Sequence, residues 1–273
     1  NDPDALAVAT ELGLGDTYAP SAAEAVAGAD MVVSCVPVGA VEEIGRAIAP
    51  ALKPGAIVTD VGSVKGAVID AFRRTLPGSA RFVPGHPIAG SERSGPHAGF
   101  ASLFRGRWAI LTPTPRTDPD ALAVVSAMWH SFGSNVELME VSRHDLVLAI
   151  TSHLPHLIAY NLVRTASDME TVTEAEVIKF SAGGFRDFTR LAASDPTMWR
   201  DVFLNNREAV LDALGRFSED LALLQRAIRW SEGDQLFDVF ERTREIRMEI
   251  VDAGQDTAVP NFGRPAETGN GQT

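Results

Sequence analysis

The chain has 273 residues, of which 45% are hydrophobic, and its 24 Lys and Arg against 36 Asp and Glu give a net charge of −12. This length and apolar content suit one large globular domain or two ordinary ones. The negative charge repels phosphate backbones and anionic membrane surfaces, so we expect neither nucleic acid nor a membrane as a partner.

Three further features of the sequence favour a cytoplasmic location. Cys35 is the only cysteine, so no internal disulfide can form. No apolar run reaches the roughly 18 residues that suggest a membrane span, and no secretory signal opens the chain. A reducing cytoplasm is therefore the expected compartment.

Short β-branched runs alternate with helical segments in the first half of the chain. The predicted strands cover residues 30–38, 55–62, 81–90, 108–113 and 135–140. The predicted helices between them cover residues 40–51, 65–75 and 119–132. This alternation predicts a Rossmann-like, doubly wound parallel sheet.

The second half of the chain is predicted to be all helix. Strand patterns end after Ser142, and helix-period segments follow at residues 143–167, 174–193, 195–231 and 233–252. Pro155 lies inside the first of these helices and is expected to kink it. We therefore divide the chain into an α/β domain at 1–141, a helical domain at 142–253 and a polar, disordered tail at 254–273.

One feature of a dinucleotide-binding sheet is missing from these residues. No G-x-G-x-x-G motif lies between a strand and a helix. The opening stretch NDPDALAVATELGL looks like the turn and helix that follow the second strand of such a sheet. We therefore expect the first strand and its phosphate-binding loop to precede Asn1.

Four stretches carry a family resemblance. They are DVGSVKG at 60–66, GHPIAGSERSG at 85–95, SHLPH at 152–156 and GGFRDFTRLAASDPTMWRD at 183–201. Together, and in this order, they resemble the prephenate dehydrogenase family, which includes arogenate and cyclohexadienyl dehydrogenases. The resemblance implies an oxidoreductase of tyrosine biosynthesis. It would oxidise prephenate or arogenate with NAD or NADP, release carbon dioxide and form 4-hydroxyphenylpyruvate or tyrosine.

His86 is the candidate catalytic base. Removing hydride from a carbon that bears a hydroxyl requires a base within hydrogen-bond reach of that hydroxyl, and an imidazole titrates near neutrality. The alternative is a histidine that caps a strand and bonds a backbone carbonyl. In the family a serine bonds this histidine, and Ser63 matches it; a cap for the following helix is the other interpretation of Ser63.

The substrate site is predicted from a polar helix stripe and from the resemblance. Ser152, His153 and His156 fall on one side of an otherwise apolar helix, which indicates a polar ligand. A zinc site is the alternative, since His144 lies upstream of His153 and His156. Helical zinc sites more often use four-residue spacing with a third ligand close by, and here no cysteine or E-x-x-H motif completes a set. We predict no metal.

Other substrate residues follow from the family motifs. Arg190 would clamp a carboxylate with two parallel hydrogen bonds, and a surface pair with Asp187 is its alternative. Ser91 and Glu92 would line the pocket mouth, although Glu92 could instead oppose a helix dipole. In the family the turn at Gly183 reaches the partner subunit's site, which implies a homodimer. Trp199 would cover the pocket or pack in the core.

Cofactor contacts are expected at the strand ends. The candidates are Ser34, Val36, Pro37, Gly62 and Lys65, the last of which could neutralise phosphate or simply begin a helix. The sequence leaves open NAD against NADP and prephenate against arogenate. Two other function classes remain open: a ligand-binding module without turnover, and a hydroxy-acid dehydrogenase of similar two-domain build.

Overall fold

The computed structural model describes residues 3–90, 95–173 and 182–252. The predicted tail at 254–273, and the predicted pocket residues Ser91 and Glu92, lie outside the described residues. By its internal contacts the chain divides into one unit at 1–210 and a second at 211–273.

A parallel sheet begins the first unit. Strands β1 (Met31–Ser34), β2 (Ile57–Asp60) and β3 (Arg81–Val83) pair in that order, with Val58 beside Val32 and Phe82. All of β2 is buried. The flanking helices are α1 (Pro3–Glu11), α2 (Ala22–Val26), α3 (Val41–Ile48) and α4 (Lys65–Thr75). The strand and helix alternation predicted for this region is therefore present.

A second sheet continues the α/β region but is not wholly parallel. Strand β4 (Gly85–Pro87) pairs antiparallel with β5 (Trp108–Leu111), which runs parallel to β6 (Asn135–Leu138) after helix α5 (Pro119–Ser131). The strand predicted over 81–90 is thus divided at Pro84. Proline has no backbone N–H to donate to a ladder. Its carbonyl instead accepts a 3.0 Å bond from Thr112, where the chain passes between sheets.

The long helix predicted around Pro155 contains a wider turn. Helix α6 (Val141–Leu148) and helix α7 (Leu154–Thr173) are joined by a π turn over Ala149–His153. Within it the Leu154 N–H donates to the Ala149 carbonyl, five residues back. The local disruption expected from Pro155 therefore takes the form of a change in hydrogen-bond register.

The same segment qualifies as a membrane span by length and composition alone. Val141–Met169 contains an 18-residue window of mean hydropathy 1.4. Sequence inspection missed it because Ser, Thr and His side chains interrupt the apolar run. The core helix of a soluble protein meets the same criterion, but only 22% of this window is buried. Within the segment, His144 and His153 are fully buried.

The remaining described residues are helical, as predicted. Helix α8 (Gly183–Thr189) leads into a 3₁₀ turn at Arg190–Ala193, and helix α9 (Pro196–Asn205) follows. Helix α10 (Arg207–Trp230) runs across the division between the two units. In the second unit it ends at a turn where Ser231 has a φ of 56°, before helix α11 (Gly233–Asp252).

A buried ion pair joins the two sheets. Lys65, in the first turn of α4, directs its ammonium group to Asp60 at the end of β2, and neither side chain is more than 2% exposed. The ammonium also donates a 2.6 Å bond to the Gly85 carbonyl. The other Asp60 oxygen accepts from the Gly85 N–H at 3.1 Å. These contacts fix the start of β4, the strand that carries His86.

Replacing Lys65 tests the importance of this pair. We expect Lys65→Met to lower the free energy of unfolding by about 3–5 kcal/mol, because Asp60 is left buried without its cation. Urea denaturation measures the loss. The matched control is Lys53→Met, which breaks an ion pair with Asp30 whose side chains are 39% and 93% exposed. That change should cost no more than about 1 kcal/mol. Equal losses would contradict a structural role for Lys65.

Candidate active site

His86 lies in β4 and is buried against another histidine. Its Nδ1 is 2.9 Å from Nε2 of His144, and the two rings meet edge to face. The other nitrogen of His144 is 2.8 Å from Oδ1 of Asp145. Burial, together with the nearby Lys65 ammonium, holds the pKa of His86 well below 6.5. At neutral pH the ring is therefore uncharged and available to accept a proton.

Asp145 also caps the helix that begins beside the site. Its Oδ1 accepts the Lys65 N–H at 2.8 Å, and its Oδ2 accepts the Gly66 N–H at 2.9 Å. Burial raises the pKa of the Asp145 carboxyl, but the hydrogen bonds from His144, Lys65 and Gly66 outweigh burial and lower it. Asp145 is thus held as an anion at a helix N-terminus.

Sequence reasoning missed His144, the partner of His86, and Asp145, the partner of His144. His144 entered only as a third histidine near a rejected zinc site, and Asp145 was not considered. The available signal was an adjacent His-Asp pair early in the helix. Nothing local connects that pair with a histidine 58 residues earlier.

Ser63 does not make the predicted contact. Within the described ranges, its hydroxyl forms no hydrogen bond with His86, whose Nδ1 is bonded to His144 instead. The alternative interpretation also needs correction, because the cap position of α4 is Val64 and no side chain at that position caps the helix. Asp145 supplies the cap from 80 residues away in sequence.

The predicted polar stripe lies against Trp199. His156 stacks on the Trp199 ring at a centroid distance of 3.6 Å, and His153 meets its edge at 6.0 Å. Ser152 contributes its backbone carbonyl, which is 2.9 Å from Nδ1 of His156. In the part of the chain that the structure describes, His153 Nε2 and Trp199 Nε1 are buried with no hydrogen-bond partner. Unpaired buried donors and acceptors of this kind suit a polar ligand.

Asn206 connects this stripe to the His86 cluster. Its amide nitrogen lies 3.1 Å from Nδ1 of His153 and donates a 2.8 Å bond to the Asp145 carbonyl. Sequence analysis did not identify Asn206, which lies at the end of α9 with no motif around it. Burial lowers the pKa of His153 to about 4. The buried His86, His144 and His153 are therefore linked through Asp145 and Asn206.

Arg190 lies close to the stripe. It opens the 3₁₀ turn that contacts α7, and its positive charge helps burial to lower the pKa of His156. The turn is held by a 2.6 Å bond from Tyr160 to the Ser194 carbonyl. Asp187 pairs with Arg186 at 3.6 Å, and both of those side chains are exposed. Gly183 is exposed at the start of α8.

The predicted cofactor residues lie at the ends of β1 and β2 or just after them. Ser34 is buried, and its hydroxyl has no hydrogen-bond partner within the described part of the chain. Val36 is half-buried and Pro37 is exposed. Gly62 is buried, and a Cβ there would lie 3.0 Å from the Asp60 carboxylate and 3.1 Å from Val68.

Lys65 requires a correction. Its ammonium group has no exposed surface and is bound by Asp60 and the Gly85 carbonyl. It cannot also neutralise a phosphate at the strand ends. Across residues 3–90, 95–173 and 182–252, no group of three His, Cys, Asp or Glu side chains is arranged to hold a metal ion.

Two family models that match consecutive parts of the chain belong to the same family. The nucleotide-binding domain of prephenate dehydrogenase matches residues 1–138, and the dimerization domain of prephenate dehydrogenase matches residues 140–242. The predicted fold class, a Rossmann-like domain followed by a helical domain, is therefore confirmed.

Individual relatives are similar along most of their length. Cyclohexadienyl dehydrogenase of Zymomonas mobilis is 43% identical over 89% of this chain and 82% of its own. Prephenate dehydrogenase of Bacillus subtilis is 34% identical over 96% of this chain and 70% of its own. The structure of A. aeolicus prephenate dehydrogenase with hydroxyphenyl propionate and NAD+ matches with a TM-score of 0.84 and 39% identity, covering 91% and 86% of the two chains.

The buried histidines predict a loss of stability in mild acid. Unfolded His153 binds a proton below its ordinary pKa of 6.5, whereas the folded ring resists protonation down to about 4. The unfolded state therefore binds more protons in this window, and the free energy of unfolding falls as the pH falls through it. His153 alone contributes up to about 3 kcal/mol.

Urea denaturation at about pH 7.5 and about pH 5 measures this loss. His153→Gln should reduce the pH dependence, and His130→Gln, at an exposed position in α5, should leave it unchanged. An undiminished pH dependence in the His153 variant would contradict the assignment.

Proposed function

Because the chain belongs to the prephenate dehydrogenase family, we propose that it oxidises and decarboxylates prephenate with NAD as the hydride acceptor. The product is 4-hydroxyphenylpyruvate, a precursor of tyrosine. The observation that carries this proposal is the uncharged His86 ring, buried beside His144 and connected through Asp145 and Asn206 to the stripe that holds His153. A buried imidazole that stays neutral suits a general base.

The role of His86 is to accept the proton of the substrate hydroxyl. A bound nicotinamide supplies an acceptor for the hydride that leaves the ring carbon bearing the hydroxyl. His86 accepts the proton of that hydroxyl, so that the carbon–oxygen bond becomes a carbonyl as the hydride departs. When the ring carboxylate leaves as carbon dioxide, its bonding electrons make the ring aromatic. The proton on His86 then returns to the ring oxygen.

Arg190 is proposed to bind a substrate carboxylate. Prephenate is a dianion, and in a chain of net charge −12 it requires a local cation. Arg190 lies near His156, whose ring stacks on Trp199. We assign these three residues, with Ser152, His153 and Gly183, to the substrate side of the site. Ser91 and Glu92 remain proposed for the pocket mouth, and Ser63 remains proposed as a second polar group near His86.

The dinucleotide is proposed to lie at the ends of β1 and β2. Ser34 ends β1, Val36 and Pro37 follow it, and Gly62 follows β2. The unpaired, buried Ser34 hydroxyl fits a polar ligand at this edge, where parallel strands end. The nucleotide-binding family match supports a dinucleotide at this edge, and the NAD+ in the A. aeolicus structure is the reason for proposing NAD.

We also propose a cytoplasmic homodimer, with the domain boundary near residue 141. The second unit exposes many large apolar side chains, which usually mark an interface. They include Leu221, Leu223, Ile228, Trp230, Phe237 and Phe240, each more than half exposed. The match to a dimerization domain over 140–242 supports this assembly.

A steady-state assay tests the proposed function. Formation of reduced nicotinamide is followed with prephenate or arogenate, each with NAD or NADP, and the highest kcat/KM is expected for prephenate with NAD. His86→Ala should lower kcat by about 10²–10⁴ and change KM little, because a positioned base is lost. In the wild type, kcat should fall in acid only below the ordinary imidazole range, since the pKa of His86 is lowered. A His86→Ala variant with near-normal kcat would contradict the assignment.

Replacing Arg190 tests the carboxylate clamp. Arg190→Ala should chiefly raise KM, by an amount equivalent to about 2–5 kcal/mol. Arg190→Lys should recover only part, because an ammonium cannot reproduce the planar fork of a guanidinium. Arg186→Ala, which removes an exposed arginine on the preceding turn, is the matched control and should leave KM unchanged. A raised KM in Arg186→Ala and an unchanged KM in Arg190→Ala would contradict the assignment and indicate that Arg186 binds the carboxylate.

A further inference from the structure

We propose that His144 is a positioning residue that holds His86 in the tautomer with its proton on Nδ1 and its basic lone pair on Nε2. The inference rests on the proposed function, in which His86 is the base. It adds that the residues around Asp145 set the direction of two hydrogen bonds, the one between Asp145 and His144 and the one between His144 and His86.

The first step is the state of Asp145. A backbone N–H can only donate, so both Asp145 oxygens act as acceptors for Lys65 and Gly66. The two amides belong to the first turn of α4, where N–H groups have no partner within the helix. An anionic carboxylate is the form that satisfies them. Asp145 consequently has no proton to give to His144.

The second step fixes the His144 ring. Because Asp145 only accepts, the 2.8 Å contact at Oδ1 requires a proton on Nδ1 of His144. His144 has no exposed surface, and in this proposal its ring is neutral and carries one ring proton. A neutral imidazole protonated on Nδ1 has an unprotonated Nε2, which is an acceptor.

The third step transfers this direction to His86. Nε2 of His144 is 2.9 Å from Nδ1 of His86, and two acceptors cannot form a hydrogen bond. Nδ1 of His86 must therefore carry the proton, and its Nε2 is left with a free lone pair. The opposite tautomer would place a proton on Nε2 and remove the base. His144 also accepts a stronger hydrogen bond once His86 becomes cationic, as in other triads in which a third group orients the base.

Other charged and titratable groups near His86 leave this direction intact. Lys65 and His153 both act on the His86 ring electrostatically, but neither forms a hydrogen bond with it in the described part of the chain. The Lys65 ammonium is bound by Asp60 and the Gly85 carbonyl. Nδ1 of His153 faces Asn206. His144 is thus the contact that selects the tautomer.

Nitrogen NMR of the histidine rings tests the proposal without turnover. In protein labelled with ¹⁵N, Nδ1 of His86 should appear protonated and Nε2 unprotonated at neutral pH, with signals assigned by their loss in His86→Ala. In His144→Phe, which removes the acceptor but keeps a ring, the two His86 tautomers should become mixed. In His144→Gln, whose carbonyl can still accept, the Nδ1-protonated form should persist.

Kinetics of the same variants give the second readout. His144→Phe should lower kcat by about 10- to 100-fold, less than the loss of the base itself, with KM unchanged. His144→Gln should recover most of kcat, and His130→Gln should match the wild type. A lower kcat with an unchanged His86 tautomer, or without recovery in His144→Gln, would show a merely structural role and overturn the proposal.

The two proposals fail in distinguishable ways. Absence of turnover by the wild type with prephenate and arogenate would refute the proposed function and leave the tautomer measurement valid. A wild-type His86 protonated on Nε2 would refute the role of His144 even in an active enzyme. If His144→Phe does not fold, the wild-type spectrum and His144→Gln still decide the question.

Discussion

The Asp145 carboxylate is the contact on which the arrangement of the site depends. It ties the first turn of α4, in the α/β layer, to the helix that begins at Val141. Burying an anion costs free energy unless hydrogen bonds compensate it, and here two backbone amides and the His144 ring do so. The same carboxylate therefore caps the start of α4, ties α4 to α6 and orients the His144 ring.

A second buried charge supports this arrangement from the other side of α4. The Lys65 backbone binds Asp145, while its ammonium binds Asp60 and the Gly85 carbonyl. One residue thus connects β2, β4 and α6 within a few bonds of His86. The net charge of −12 gives no sign of this arrangement, in which the buried Lys65 contacts both Asp60 and Asp145.

Local patterns in the sequence predicted much of the fold. Residues 65–75 and 233–252 were expected to be helices and are α4 and α11, because each shows helical periodicity along its own length. The division at Pro84 and the antiparallel pairing of β4 with β5 were missed, since strand partners are chosen by tertiary contacts.

The site was predicted in the same uneven way. His86, His153 and Trp199 carry local motifs, and the structure brings the last two into contact. His144, Asp145 and Asn206 were missed, because their partners lie far away in sequence. Of the two interpretations of Lys65, the helix start agrees with the structure and the phosphate contact does not. The local sequence around a lysine that follows a strand is the same whether its ammonium group reaches solvent or a buried aspartate. Only packing distinguishes the two cases.

The π turn at Ala149–His153 has a geometric consequence for the two histidines beside it. In a uniform α-helix, residues nine apart such as His144 and His153 are separated by about 900° of rotation and point to opposite sides. Accommodating one extra residue in the turn reduces the offset to about 80°. Both rings are accordingly buried on the side where Asn206 contacts Asp145 and His153. Winding the same residues as a uniform α-helix would leave the chemistry of every side chain intact and still separate the two imidazoles by half a rotation.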